Sequence, residues 1–311
     1  MRNEEKMTEC QRIIESGFLS PAYLSEEIRN DYMITSEMKK VWTIELDLLR
    51  FFSELCEKHH LQYWVGFGTL LGAVRHHGFI PWDDDVDVWM PREDYEKLLA
   101  IPGKDIPETY FIQTTLNDQD YYSAFARLRN SNTTGILVSG NNRCNNGIYI
   151  DIYPLDGMEK NLKKQKRRSE YIRALNVIAH AHLYNVNPHP LTRMIHAVTH
   201  LPFAHLNCRW IYTRVNELAG SVDWKDTDRV GIVVFWPYPF EKTNYDKKWF
   251  AETISMPFEG MTVNVPKGYD RILTTLYGNY MVFPPVEKRG SWHDFTFYPD
   301  IPYTAFNKTA R

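Results

Sequence analysis

The stretch from Tyr63 to Tyr95, YWVGFGTLLGAVRHHGFIPWDDDVDVWMPREDY, constrains this chain most. The apolar triplet Tyr63-Trp64-Val65 predicts a short buried strand. Gly66-Phe67-Gly68-Thr69 follows, then a short amphipathic helix over Leu70 to Arg75. The segment closes in Asp83-Asp84-Asp85-Val86-Asp87-Val88. Read as a strand, Asp85-Val86-Asp87-Val88 puts Asp85 and Asp87 on one face and the valines on the other. Asp83 shares the acidic face if the strand reaches back that far, and Asp84 falls on the opposite side. Carboxylates held side by side repel one another, and a hard cation such as Mg²⁺ or Mn²⁺ relieves that repulsion. Backbone N–H groups at a Gly-Thr turn and helix start suit a phosphate. A phosphate cradle beside an acidic pair points to Mg²⁺-dependent phosphoryl transfer from a nucleotide-activated donor. A lone Asp-x-Asp would read as a solvated acidic loop, but the apolar flanks argue for a built site.

The remaining sequence is that of a folded domain. In 311 residues, 43% hydrophobic and 14% aromatic content supply a core, and a net charge of −3 argues against a general nucleic-acid binder. The polar start MRNEEKMTEC has no apolar signal region, and no apolar run is long enough to span a bilayer. Cys10, Cys56, Cys144 and Cys208 lack metal or disulfide spacing and read as thiols of a reducing compartment. A soluble cytoplasmic protein is expected. Residues 1–35 read as a polar arm with one short helix. Val41, Ile44, Leu48, Phe51 and Leu55 mark an amphipathic helix over Glu37 to His60. Pro91 opens a helix to Leu99. Strands are expected at Tyr110–Thr115, Ala124–Arg129, Thr134–Val138, Ile148–Tyr153 and Gly231–Trp236.

Within these strands, Arg127 and Arg129 share a face, either covering an exposed sheet or facing phosphate. Asp151 lies between Tyr149 and Tyr153, opposite the Ile148, Ile150 and Ile152 face. Pro154 is expected to end that strand, leaving Asp156 as a loop cap. The basic run Lys163, Lys164, Lys166, Arg167 and Arg168 reads first as a solvated helix face, with peripheral membrane contact as the rival. Tyr171 to Leu218 reads as a mostly helical insertion broken near Asn187-Pro188 and Leu201-Pro202. Its histidines, His180, His182, His196, His200 and His205, lack metal-ligand spacing. The aromatic tail, with Trp292, His293, Phe295, Phe297 and Tyr298, reads as packing against the core.

Gly68-Thr69-Leu70-Leu71-Gly72-Ala73-Val74-Arg75, with Gly78-Phe79-Ile80-Pro81-Trp82-Asp83-Asp84-Asp85-Val86-Asp87, resembles the LicD family. That family includes bacterial phosphocholine transferases and, more distantly, fukutin-type ribitol-phosphate transferases. The resemblance is close over Tyr63 to Tyr95 and recurs more weakly to Arg289. Two positions depart from it: Trp89 stands where a small residue is usual, and His77 where lysine is common. The resemblance implies an α+β, nucleotidyltransferase-like mixed sheet flanked by helices, spanning residues 36–311 with a helical insertion at about 159–220. It implies Asp83, Asp85, Asp87 and Asp151 as Mg²⁺ (or Mn²⁺) ligands, with Asp85, Asp87 and Asp151 catalytic. Gly68, Thr69, Arg75 and Arg127 would hold the donor.

The implied reaction moves a phospho-alcohol, foremost phosphocholine from CDP-choline, onto a sugar hydroxyl of a cell-surface glycan, teichoic acid or lipopolysaccharide precursor. The partners would be a CDP-alcohol donor and a glycan or lipid-linked glycan acceptor at the inner membrane face, with no nucleic acid. Transfer of ribitol- or glycerol-phosphate, an Asp-x-Asp glycosyltransferase and a non-catalytic glycan-binding module are the competing readings. Few residues precede the acidic pair, which weighs against the glycosyltransferase, and intact Asp85, Asp87 and Asp151 weigh against a decayed binding module.

Overall fold

The structure, a computed structural model, describes residues 7–138, 142–180, 208–234, 238–290 and 295–309. Helix α1 (Glu9–Glu15) is closed by a capping box between Thr8 and Gln11. Strands β1 (Glu27–Arg29) and β2 (Tyr32–Ile34) form a hairpin whose turn residues, Asn30 and Asp31, both have positive φ. Asn and Asp tolerate that conformation better than most residues, which fits the two-residue turn. The arm therefore carries a hairpin beyond the one expected helix, and Ile13 and Ile34 are buried in the core. Helix α2 (Ser36–Lys58), capped by Thr35, packs its apolar stripe on the sheet.

The elements around the site follow directly. They are β3 (Trp64–Val65), α3 (Phe67–Arg75), β4 (Asp87–Pro91) and α4 (Arg92–Leu99). Next come β5 (Tyr110–Gln113), β6 (Ala126–Asn130), β7 (Thr134–Leu137) and β8 (Ile148–Gly157). Helices α5 (Leu162–His180) and α6 (Cys208–Ala219) bracket the expected insertion. His182, His196, His200, His205 and both expected proline breaks lie outside the described residues. After them come β9 (Arg229–Gly231), β10 (Asn244–Asp246), the hairpin β11 (Thr253–Phe258) and β12 (Met261–Pro266), and α7 (Tyr269–Tyr277). The chain closes with β13 (Phe295–Tyr298) and α8 (Tyr303–Thr309). β13 pairs with β7 and Phe295 lies 5.5 Å from Tyr149, so the described part of the aromatic tail packs on the body; Trp292 and His293 lie outside the described residues.

The main sheet has seven strands, with the order β10-β9-β8-β4-β3, and β6 and then β5 also joined to β8. β4 and β8 run parallel, and the other pairs are antiparallel. The fold is thus α+β, a mixed sheet flanked by helices, as expected. β8 is its axis: every residue from Ile148 to Gly157 is buried. Its first half pairs with β6 and its last two residues with β9.

Three expectations are corrected here. The acidic strand begins at Asp87, so Asp83 to Val86 form a loop, although Val86 already accepts the Asp151 N–H at 2.8 Å. The GIVVFW stretch is strand only to Gly231, and Phe235 and Trp236 lie outside the described residues. Pro154 does not end β8: it removes one donor, but pairing with β4 and then β9 continues past it. Asp156 is consequently a buried strand residue, not a loop cap. Its carboxylate receives Arg92 Nε at 2.6 Å and Nη2 at 3.1 Å, while Arg92 Nη1 donates to Asn216 at 3.0 Å. Removing one partner of a buried pair strands the other charge, so Arg92→Ala should cost about 3–5 kcal/mol of stability. Urea denaturation checks this; a loss below about 1 kcal/mol would show that the pair is replaceable by solvent.

Lys163, Lys164, Lys166 and Arg167 are exposed along α5, as a solvated face requires, while Arg168 turns in to the Gly157 carbonyl. The four cysteines are free thiols, three of them buried. No described helix is long and apolar enough to cross a membrane.

Candidate active site

The site forms where the start of α3 meets the loop before β4 and the middle of β8. β3 leads into α3 through Gly66, where a Cβ would sit 2.1 Å from the Trp89 indole. Trp89 thus fills the space that glycine leaves, which accounts locally for the large residue at that position. Phe67 takes a left-handed φ of 38°, a strained conformation for a non-glycine residue. It is over-determined by packing: its ring lies 4.9 Å from Trp89 and 5.4 Å from both Tyr153 and Tyr238. The helix begins at Phe67, three residues earlier than the periodicity suggested, so Gly68 and Thr69 belong to its first turn. First-turn N–H groups have no intrahelical acceptor and stay available to an anion.

Gly68 and Thr69 also tie this turn to the acids. A Cβ on Gly68 would lie 2.5 Å from Asp83 Oδ2. Thr69 Oγ1 accepts the Asp87 N–H at 2.8 Å, so the hydroxyl fixes the start of β4 as well as standing beside the expected phosphate position. Gly68→Ala should therefore fold but push the Asp83 carboxylate aside, with the larger Gly68→Val displacing it further. Divalent-cation affinity measured by calorimetry should fall at least tenfold in Gly68→Val; an unchanged affinity would detach Asp83 from the site.

The carboxylate oxygens of Asp83, Asp84 and Asp85 lie within 4.8 Å of one another. Asp84, which strict alternation sends to the other side, joins them because this segment is loop, where alternation does not hold. Asp87 lies opposite Asp151 in the β4–β8 pair, and Asp151 lies opposite Arg127 in the β6–β8 pair. The three side chains form a cross-strand row. Arg127 Nε donates to Asp151 Oδ1 at 2.6 Å, and Tyr153 Oη donates to Oδ2 at 3.2 Å. Arg127 and Arg129 both stack on Tyr149, at 3.8 and 4.8 Å, so they share a face, but neither covers an exposed surface. Arg129 is buried and donates to Gln113 and to the Gly147 carbonyl.

Burial, and then the charges of Asp85 and Asp151, push the Asp87 carboxyl well above the usual carboxylate range. Burial opposes the charge of Arg127, and Asp151 outweighs it, raising the guanidinium pKa further. Sequence reasoning passed over one buried carboxylate near these acids, Glu45 on α2. It is 1% exposed, and burial followed by Asp85, Asp84, Asp83 and Asp87 holds its carboxyl well above the ordinary range. The signal was legible: Glu45 stands inside the apolar stripe, four residues after Val41 and three before Leu48.

Arg75 is placed differently from the other candidates. It donates to the Tyr280 carbonyl at 2.7 Å and lies 5.0 Å over Phe283, tying α3 to the segment after α7. The donor set is entirely oxygen and strongly acidic, and Glu45 Oε2 is a buried oxygen without a hydrogen-bond partner among the described residues. Both features fit a hard divalent cation and disfavour soft metals.

A mixed sheet carrying a helix-start cradle, a carboxylate cluster and an arginine defines a nucleotidyltransferase-like protein. Residues 60–192 match the family model described as LicD/FKTN/FKRP, nucleotidyltransferase domain. It is 27% identical over 265 residues to the lipopolysaccharide cholinephosphotransferase LicD of Haemophilus influenzae, covering 80% of this chain and 92% of that protein. An uncharacterized protein of Rickettsia prowazekii is 37% identical over 26% of this chain and 34% of its own length. The human ribitol 5-phosphate transferase FKRP is 35% identical over 33% of this chain and 20% of its own length.

Proposed function

We propose that this protein is a LicD-type transferase that moves phosphocholine from CDP-choline to a hydroxyl of a glycan or lipid-linked glycan. The observation that carries the reading is the Asp87–Asp151–Arg127 row beside Asp83, Asp84 and Asp85 at the first turn of α3. The near full-length similarity to a lipopolysaccharide cholinephosphotransferase supports phosphocholine over other phospho-alcohols.

In this reading Asp83, Asp85, Asp87 and Asp151 would hold Mg²⁺ or Mn²⁺. When bound, the cation offsets charge on the donor diphosphate and the departing CMP. The first-turn N–H groups of α3 orient the diphosphate. The acceptor oxygen attacks the choline-bearing phosphorus, the P–O bond to CMP breaks, and one site carboxylate takes the hydroxyl proton. Arg127 holds Asp151 in place through its two N–H groups. No covalent enzyme intermediate is needed.

The test is CMP release with Mg²⁺ and CDP-choline, CDP-ribitol or CDP-glycerol, with acceptor. Choline-dependent CMP release supports the proposal. Release confined to CDP-ribitol would move the protein to the FKRP-like activity, and glycoside formation in a parallel reaction with nucleotide sugars, without CMP release from any CDP-alcohol, would overturn both.

A further inference from the structure

The buried acids outside the site each have a cation. Asp47 receives Arg12 and Arg50, Asp156 receives Arg92, and Glu259 receives Arg29. Glu45 breaks this pattern. Its Oε2 is buried without a hydrogen-bond partner, and no ion pair to it occurs among the described residues. Lys39, the buried cation on the same helix, is committed to Glu27 at 2.9 Å.

The geometry of α2 says what Glu45 faces. Trp42, one turn earlier on the same helix face, donates Nε1 to the Asp83 carbonyl at 3.0 Å. That bond pins the acidic loop against α2 beside Glu45. The charges acting most strongly on Glu45 are Asp85, Asp84, Asp83 and Asp87, in that order. A carboxylate placed behind aspartates, with no cation of its own, is unfavourable unless something positive enters the space between them.

We infer that Glu45 belongs to the cation site, closing its oxygen-ligand set from the α2 side. The inference rests on the cation reading of the acidic cluster and adds a residue from a helix that the linear motif does not contain. Glu45 then links cation binding to the helix packed across the sheet, so loading the site should stiffen α2 as well as the loop.

Glu45→Gln is nearly isosteric and removes only the charge. Titration with Mn²⁺, followed by electron paramagnetic resonance of the free ion, should give wild-type binding and at least tenfold weaker binding in Glu45→Gln. The variant should also melt above wild type without cation and show a smaller Mg²⁺-induced rise. Wild-type affinity in Glu45→Gln with an unchanged Mg²⁺-induced rise would overturn the role of Glu45 and leave the cation site standing. Absence of Mn²⁺ binding to wild type would overturn the cation reading and this inference with it. Glu45→Met gives a second, apolar replacement of similar length; if both variants fail to fold, Glu45 is structural and the inference falls.

Discussion

Asp87→Asn is expected to reduce CMP release by at least about 10²-fold, the scale of losing one interaction with developing charge, while the protein stays folded. Asp87 is buried at the start of β4, its backbone N–H is held by Thr69, and its strand pairs with β3 and β8. None of those bonds involves the carboxylate. Its nearest charged influences are Asp85 and Asp151, both repulsive. Neutralising it removes repulsion in the cation-free protein, so Asp87→Asn should melt above wild type without Mg²⁺ and gain less from added Mg²⁺. Asp85→Asn should behave alike, with a smaller stability gain, because Asp85 is only half-buried. Near wild-type CMP release in both variants would remove the acids from the reaction.

The same carboxyl sets a pH dependence. Asp87 and Glu45 have folded pKa values above their unfolded ones. The folded chain therefore binds more protons, and cation-free stability should be greatest below about pH 4 for these groups and fall as pH rises through their raised values. Mg²⁺ should reverse part of that fall. Melting scans with chelator and with Mg²⁺ separate the two curves, and parallel curves would contradict the coupling.

Asp151→Asn and Arg127→Ala should be the other severe changes, for a reason the linear sequence did not contain. The guanidinium of Arg127, expected at the donor phosphate, is bonded to Asp151, a partner that sequence order does not reveal. Arg127→Ala leaves Asp151 buried beside Asp87 without its cation, costing about 3–5 kcal/mol and displacing a site carboxylate. Arg127→Lys should recover part of the stability, since lysine keeps the charge but loses the planar fork. Asp151→Asn keeps one acceptor for Arg127, so it should fold with a smaller cost yet lose at least about 10²-fold in transfer. Pairing Arg127→Met with Asp151→Leu should restore stability relative to Arg127→Ala without restoring transfer. Normal CMP release in Asp151→Asn would remove this strand from the reaction, and wild-type stability in Arg127→Ala would show the pair to be solvated.

Local pattern carried much of this fold. The apolar spacing in Glu37 to His60 and the proline at Pro91 announced α2 and α4, because helix periodicity and capping are properties of neighbouring residues. The Gly-Thr turn and the acidic run mark the candidate site for the same reason: their residues stand in one continuous stretch. Alternation failed at Asp84, and the expected proline stop failed at Pro154. The first lies in a loop pinned by Trp42, and the second in a strand sustained by neighbours on both sides.

By itself, then, the sequence determined which residues are acidic, how closely they follow one another and which helices and strands they adjoin. The tertiary structure alone decided their partners. Asp156 and Asp151 lie on one strand, yet the first is neutralised by Arg92 and the second by Arg127. Glu45 shares α2 with Asp47, yet Asp47 meets two arginines and Glu45 meets aspartates. Electrostatic environment is set by which side chains approach through space, and the sheet brings β4, β6 and β8 together from positions more than sixty residues apart in the case of Asp87 and Asp151. A periodicity can say that a carboxylate is buried; only the packing of the strands and of α2 says what charge it faces there.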